Sequence, residues 1–153
     1  MAGSAEELAA HFAVRRQVFV GEQRIFAVDD RDRHDRDAAT AHVVGLVDGL
    51  VRGAVRLYPL DTGSGLWKGD RLAVLPGYRR HGLGAPLVRY AVAAAGAHGG
   101  REMTAHVQPG NVRFFERLGW RRVGPPELYA GSPHQRMVIA LSAGPVDRPG
   151  EGW

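Results

Sequence analysis

The stretch Arg71-Leu-Ala-Val-Leu-Pro-Gly-Tyr-Arg-Arg-His-Gly-Leu-Gly84 constrains this chain more than any other. Leu72, Val74 and Leu75 supply an apolar strand, and Pro76-Gly77 stops it. Leu83, Leu87, Tyr90, Ala91 and Ala94 then recur at helical spacing, on towards His98. Between strand and helix, Arg79 to Gly84 spells R-x-x-G-x-G. Gly82 and Gly84 have no side chains, so an anion can approach their amide N–H groups. The first amides of a helix lack intrahelical acceptors, and the helix dipole adds positive potential there. Arg79, Arg80 and His81 line the approach. Such a turn holds phosphate, and pyrophosphate suits it best. Two other glycine-rich devices are excluded by spacing. A dinucleotide fingerprint needs G-x-G-x-x-G, and a P-loop needs Lys followed by Ser or Thr.

The remaining segments supply an α/β domain. A chain of 153 residues, 44% hydrophobic, fits one domain with a core; it is expected over residues 1–141, with a loose Gly/Pro-rich tail over 142–153. Ser4-Ala-Glu-Glu7 is a capping-box pattern. The helix it opens carries Leu8, Phe12, Arg15 or Arg16, and Phe19 along one side, widened by Val14 and Val18. Residues 21–26 read as a short second helix. Asp29 to Asp37, with five aspartates, three arginines and a histidine, reads as a solvated loop. It lacks the Gly and terminal Glu of a calcium loop, and no metal site is expected. Ala41 to Val47 and Leu50 to Leu57 flank Asp48-Gly49, a strong hairpin signal. Val43, Val44, Leu46 and Val47 suggest a strand covered on both faces. Strands are expected at Leu66 to Leu75, Glu102 to Val107, Trp120 to Gly124 and Arg136 to Leu141, with Asn111 capping a short helix to Leu118. Strands interleaved with crossover helices give a mixed central sheet with helices on both faces.

Composition limits the partners. With no cysteine there is no thiolate nucleophile, disulfide or Cys-based zinc site. No apolar run is long enough to span a membrane and no signal peptide is evident, so a cytoplasmic location without a membrane partner is expected. The net charge of +4 rests on arginines spread along the chain, with Lys68 the single lysine. That spread argues against a nucleic-acid partner.

A second stretch, Asn111-Val-Arg-Phe-Phe-Glu-Arg-Leu-Gly-Trp120, joins the first. Together they resemble the GNAT superfamily of acyl-CoA-dependent N-acyltransferases. Val18-Phe-Val-Gly-Glu-Gln23, the Asp-rich stretch, Ala105-His-Val-Gln108, and Gly131-Ser-Pro-His134 with Met137 narrow the resemblance to bacterial single-domain members of the ElaA-like, nitrogen-starvation type. The resemblance implies the GNAT fold, although only Met1 to Gly3 precede the first helix where the family usually has a strand. It implies acetyl-CoA as co-substrate and a small-molecule primary amine as acceptor, attacking the thioester directly. Leu72, Ala73 and Val74 would pair with the pantetheine arm. Arg79, Arg80, His81, Gly82, Leu83 and Gly84 would hold the pyrophosphate. Asn111 and Phe115 would touch the cofactor from the late helix. Many members place a proton-donating tyrosine where this chain has Phe115, so that role has no bearer here. A backbone N–H at Val74 would face the oxyanion.

The candidate bases are Glu22, in the helical segment that walls the substrate site, and His106, near the end of its strand. Tyr129 and His134, flanking the last loop, are further candidates; His42 and Asp70 are weaker ones. Each also has an ordinary reading as a surface or structural residue. The acidic stretch suggests attraction of a cationic amine. Phe115 also admits an alternative: a degenerate GNAT domain that binds acyl-CoA as a sensor or partner module. A homodimer is compatible with the sequence.

Overall fold

Ser4 accepts a hydrogen bond from the Glu7 amide at 3.1 Å and opens α1, Ala5–Arg15. The Glu7 carboxylate reaches the Gly3 amide at 3.0 Å, one residue before the expected partner. The helix widens into a π-turn over Arg16–Glu22, and no second helix forms at residues 21–26. The buried face is His11, Val14, Arg15, Val18 and Phe19, while Leu8 and Phe12 are only half-buried. This face meets Asp30, Asp35 and the Val55 carbonyl, so a histidine and an arginine belong on it. Arg15 is expected on this side, whereas His11 is not. The computed structural model describes residues 1–129 and 131–142, and the side chains of all of these except Arg80 and His81. The expected tail lies, beyond Ser142, outside the described residues.

Strands β1 (Ala41–Val47) and β2 (Leu50–Pro59) form the expected hairpin. Asp48 and Gly49 turn it with φ of 52° and 78°, as a tight two-residue turn requires. β3 (Leu66–Val74) pairs antiparallel with β2 and parallel with β4 (Glu102–Val107). β5 is only Arg121–Arg122, and β6 (Glu127–Tyr129) forms a hairpin with β7 (Ser132–Ala140). The sheet order is β1-β2-β3-β4-β7-β5. β1 is therefore an edge, and Leu46 is 51% exposed, so the expectation of cover on both faces fails there. α2 (Gly84–Ala97) crosses from β3 to β4, and α3 (Val112–Arg117) follows β4. No strand precedes α1 among the described residues; the Ala2 amide simply donates to the His42 carbonyl at 2.7 Å.

Both sheet faces are covered. Leu87, Val88 and Ala91 of α2 pack with Val55, Leu57, Val74 and Met103 on one side. Val14, Val18 and Phe19 pack on Ala54 and Ala73 on the other. Gly45 and Gly53 face each other across β1 and β2, and a Cβ on either would come within 2.9 Å of Leu83. Two glycines thus hollow the sheet to receive Leu83, which seats the glycine turn against the core.

The acidic stretch is a solvated loop only in part: Asp29, Arg31, Arg33, Arg36 and Asp37 are exposed, and the rest turns inward. Asp30 is fully buried, and Arg15 Nε meets its carboxylate at 2.6 Å. Arg15 also reaches Asp35 at 2.7 Å, and Arg56 reaches Asp32 at 2.6 Å and Asp70 at 2.7 Å. Asp32 and Asp35 additionally cap the 3₁₀ turn Arg33–Arg36. The inward aspartates are not evident from residues 29–37 alone, because the arginines that engage them come from positions 15, 56 and 71.

Candidate active site

Strands β3 and β4 pair only through Leu66–Lys68 and Glu102–Thr104. Beyond Lys68 and Thr104 they part, leaving a cleft of about 120 Å³. Residues 69–72 line one side, residues 105–108 the other, and Phe115 and Trp120 also face it. The Leu75 amide donates to the Arg52 carbonyl of β2 at 3.0 Å. Antiparallel ladders alternate, so the Val74 N–H points away from β2, although Val74 is not itself part of the cleft lining.

A bulge sits on the same wall. The β2–β3 register slips between Ala54 and Arg56, and opposite the slip Arg71 has φ of 53°. Arginine rarely adopts that region unless its surroundings hold it there. Arg71 donates to the Asp30 carbonyl at 3.1 Å and to Asp32 at 3.3 Å, and lies 4.7 Å from the centre of the Phe26 ring. The aspartate loop is thus a clamp on a strained bulge at the cleft wall.

The glycine turn is a 3₁₀ segment, Pro76–His81, ended by Gly82 with φ of 69°. The Gly82 amide donates to the Arg79 carbonyl at 3.3 Å, so it is not the open donor that the sequence suggested. The first amides of α2, at Gly84 and Ala85, lie where a helix has no internal acceptors. The Leu83 side chain is in its socket, which leaves only its backbone for a ligand. Arg79 holds Glu22 through two bonds of 2.7 and 2.8 Å and donates from Nε to the Val74 carbonyl at 3.1 Å. Two residues expected in separate roles therefore bind each other and tie the turn to the end of the π-turn. Glu22 does not line the cleft. The side chains of Arg80 and His81 lie outside the described set.

Leu72, Asn111, Phe115, His106, Tyr129 and His134 all line the cleft, whereas Ala73 is buried against the α1 side. Phe115 packs edge-on against Trp120 at 5.3 Å. Asn111 stands at the start of α3 without the expected side-chain capping bond. Gln108 donates to Gln23 at 2.9 Å, joining two of the motif stretches.

His106 stands on the opposite wall. Its Nε2 lies 3.0 Å from Glu127, and its ring stacks on Tyr129 with centroids 4.3 Å apart. A carboxylate only accepts, so Nε2 is assigned the proton and Nδ1 a lone pair. Nδ1 is buried without a partner among the described residues, as is Trp120 Nε1. Burial pushes the His106 pKa below its ordinary 6.5, the Lys68 charge adds to this, and Glu127 opposes both. The imidazole is consequently neutral at pH 7. The Tyr129 hydroxyl accepts from Lys68 Nζ at 3.1 Å, and His134 packs edge-on to the Tyr129 ring at 5.4 Å. Nδ1–H of His134 donates to the Ser132 carbonyl at 2.9 Å. Glu127 escaped the sequence reading because it follows Pro125-Pro126 in an irregular segment. Only the pairing of β6 with β7 brings it to His106.

Residues 6–120 match the model of the acetyltransferase (GNAT) family. The chain belongs to that family. It is 30% identical to the uncharacterized N-acetyltransferase YjcF of Bacillus subtilis (strain 168) over 139 residues, 90% of this chain and 96% of that one. Its fold matches a crystal structure of Escherichia coli ElaA with a TM-score of 0.78 at 22% identity, covering 88% of this chain and 90% of that one. An acyl-CoA N-acyltransferase from Pseudomonas aeruginosa superposes with a TM-score of 0.77 at 26% identity, over 88% and 91% of the two chains. This GNAT protein is thus an enzyme of the N-acetyltransferase class with the family's fold. Its residues fit an acyl-CoA thioester. The unpaired stretch of the strand edges offers backbone groups that would suit the amides of a pantetheine arm, and the start of α2 offers amides that would suit phosphates.

Proposed function

We propose that this GNAT enzyme transfers an acetyl group from acetyl-CoA to the primary amine of a small molecule, with His106 as the base. The observation that carries the reading is the buried, unpartnered Nδ1 of His106 on the wall of the β3–β4 split. Leu72 to Val74 line the pantetheine, and the start of α2 receives the pyrophosphate. The amine nitrogen forms its bond to the thioester carbon while Nδ1 takes the proton. Val74 N–H stabilises the oxyanion, and the carbon–sulfur bond then breaks to release the CoA thiolate. Glu127 holds Nε2–H and stabilises the imidazolium. Tyr129 fixes the imidazole plane by stacking, and His134 supports Tyr129. Phe115 shapes the cleft and has no proton to give, so the thiolate leaves without a protein acid. Glu22, locked to Arg79, positions the turn.

A thiol-release assay with acetyl-CoA over a panel of primary amines tests this. Turnover is expected, with kcat/KM lower by about 100-fold or more in His106→Gln. Phe115 favours one other reading, a sensor of acyl-CoA. CoA binding with no turnover on any amine would support the sensor and remove the transferase reading.

A further inference from the structure

We infer that the acceptor amine also carries an anionic group, carboxylate or phosphate, held by Lys68 and Arg136. This rests on the acetyltransferase reading above.

Lys68 and Thr104 are register partners across β3 and β4, and His106 and Arg136 are partners across β4 and β7. Thr104 and His106 stand two residues apart on one strand and share a face. Lys68 and Arg136 therefore flank the base from either side. Among the described residues, neither cation meets a carboxylate. Lys68 Nζ donates to the Tyr129 hydroxyl at 3.1 Å and stands 4.5 Å from its ring centre. Arg136 Nε donates to Thr104 Oγ1 at 3.1 Å. An ammonium has three donors and a guanidinium five, so most of their capacity is open. The charge of Lys68 is felt at His106, where it opposes protonation.

The acids nearby are engaged. Glu127 is bonded to His106, and Asp70 is matched by Arg56. Asp30, Asp32 and Asp35 are matched by Arg15, Arg56 and Arg71. Asp30, Asp32 and Asp35 of the acidic stretch are thus already matched, which leaves Asp29 and Asp37 as its carboxylates without an ion pair among the described residues. Beside the neutral imidazole stand two cations with open donors, one strand away on either side and outside the cleft's own lining. An amine placed at Nδ1 with an anionic group a short spacer away satisfies both.

The test is kcat/KM with acetyl-CoA for matched probe amines, corrected to free-base concentration. Glycine against glycinamide reports a carboxylate, and O-phosphoethanolamine against ethanolamine reports a phosphate; 1,5-diaminopentane serves as the dication. In at least one pair the anionic member should exceed its neutral partner by about 10-fold, close to one good charge-assisted contact. Lys68→Met, and independently the exposed-site variant Arg136→Gln, should bring that ratio towards one. Equal values within both pairs, or a preference for the diamine, would overturn the inference. If no amine is acetylated, calorimetry with N-acetylglycine and N-acetylglycinamide decides it separately. Tighter binding of the acid, lost in Lys68→Met, retains the anion site while the transferase reading falls. Equal binding of acid and amide rejects the anion site.

Discussion

On the β3 side of the cleft, Arg15, Arg56 and Arg71 meet Asp30, Asp32, Asp35 and Asp70 at 2.6 to 3.6 Å. Around His106, Lys68 of β3 and Arg136 of β7 bond, among the described residues, only a phenol and a hydroxyl, and His106 keeps a bare nitrogen. Both sides are rich in charge, yet they follow different rules. A buried charge without a counter-charge is very costly, so the first set is closed upon itself. Its product is geometric: it holds Arg71 at φ of 53° and with it the bulge on the cleft wall. The second set keeps donors and a lone pair that no described residue fills. Charge density alone therefore does not distinguish the two sets; whether each charge is matched does.

The comparison breaks most visibly at Asp30. Asp30→Ala leaves Arg15 and Arg71 short of a buried partner and should cost about 3–5 kcal/mol in urea denaturation. A loss below about 1 kcal/mol would mean that the network is not a structural unit.

A smaller effect is expected from pH on the same wall. His11 is fully buried, donates to the Val55 carbonyl at 3.2 Å, and has its pKa lowered by burial to about 3. Between pH 6.5 and its folded value, the unfolded histidine binds a proton and the folded one does not, so stability falls on acidification. From pH 6.5 to 5 the loss is about 2 kcal/mol. The neighbouring Asp32 and Asp35 have lowered pKa values, so their stabilisation persists above 3.8 and does not mask the trend. His11→Phe should reduce that slope to the smaller one left by His106, whose pKa is also lowered; an unchanged slope would contradict the assignment.

On the open wall, substitutions should touch chemistry more than stability. Glu127→Gln should change stability by less than about 0.5 kcal/mol, since Glu127 is a surface group. Glu127 raises the His106 pKa, so its removal should shift the acid limb of kcat/KM to lower pH; Lys68→Met should shift it upwards. Equal displacement in both variants, or none, would separate His106 from the pH profile.

Local chemistry made much of this legible from sequence. The Asp48-Gly49 turn, the Ser4 cap and the proline stop at Pro76 act over a few residues, and each appears where expected. The cleft contacts Asn111 and Phe115 emerged from the late-helix motif. What stayed hidden were pairings between distant positions: Arg15 with Asp30 and Asp35, Glu22 with Arg79, His106 with Glu127. The π-turn and the polar inward face of α1 also break the periodicities on which helix readings depend. These partners become visible only when the sheet register brings them together.

The central claim is that the start of α2 receives the phosphates of a CoA thioester, and Gly84→Asp tests it most directly. Gly82 is less suitable, because its φ of 69° would strain any side chain. Gly84 is helical, and a Cβ there would meet only the Phe114 ring, at 3.4 Å. A carboxylate in the first turn suits the helix dipole, so folding should be preserved while a second anion is repelled. Calorimetric titration with CoA should show affinity lower by about 100-fold or more than in the native protein, at an unchanged melting temperature. Equal affinity in the two proteins would place the phosphates elsewhere and contradict the account.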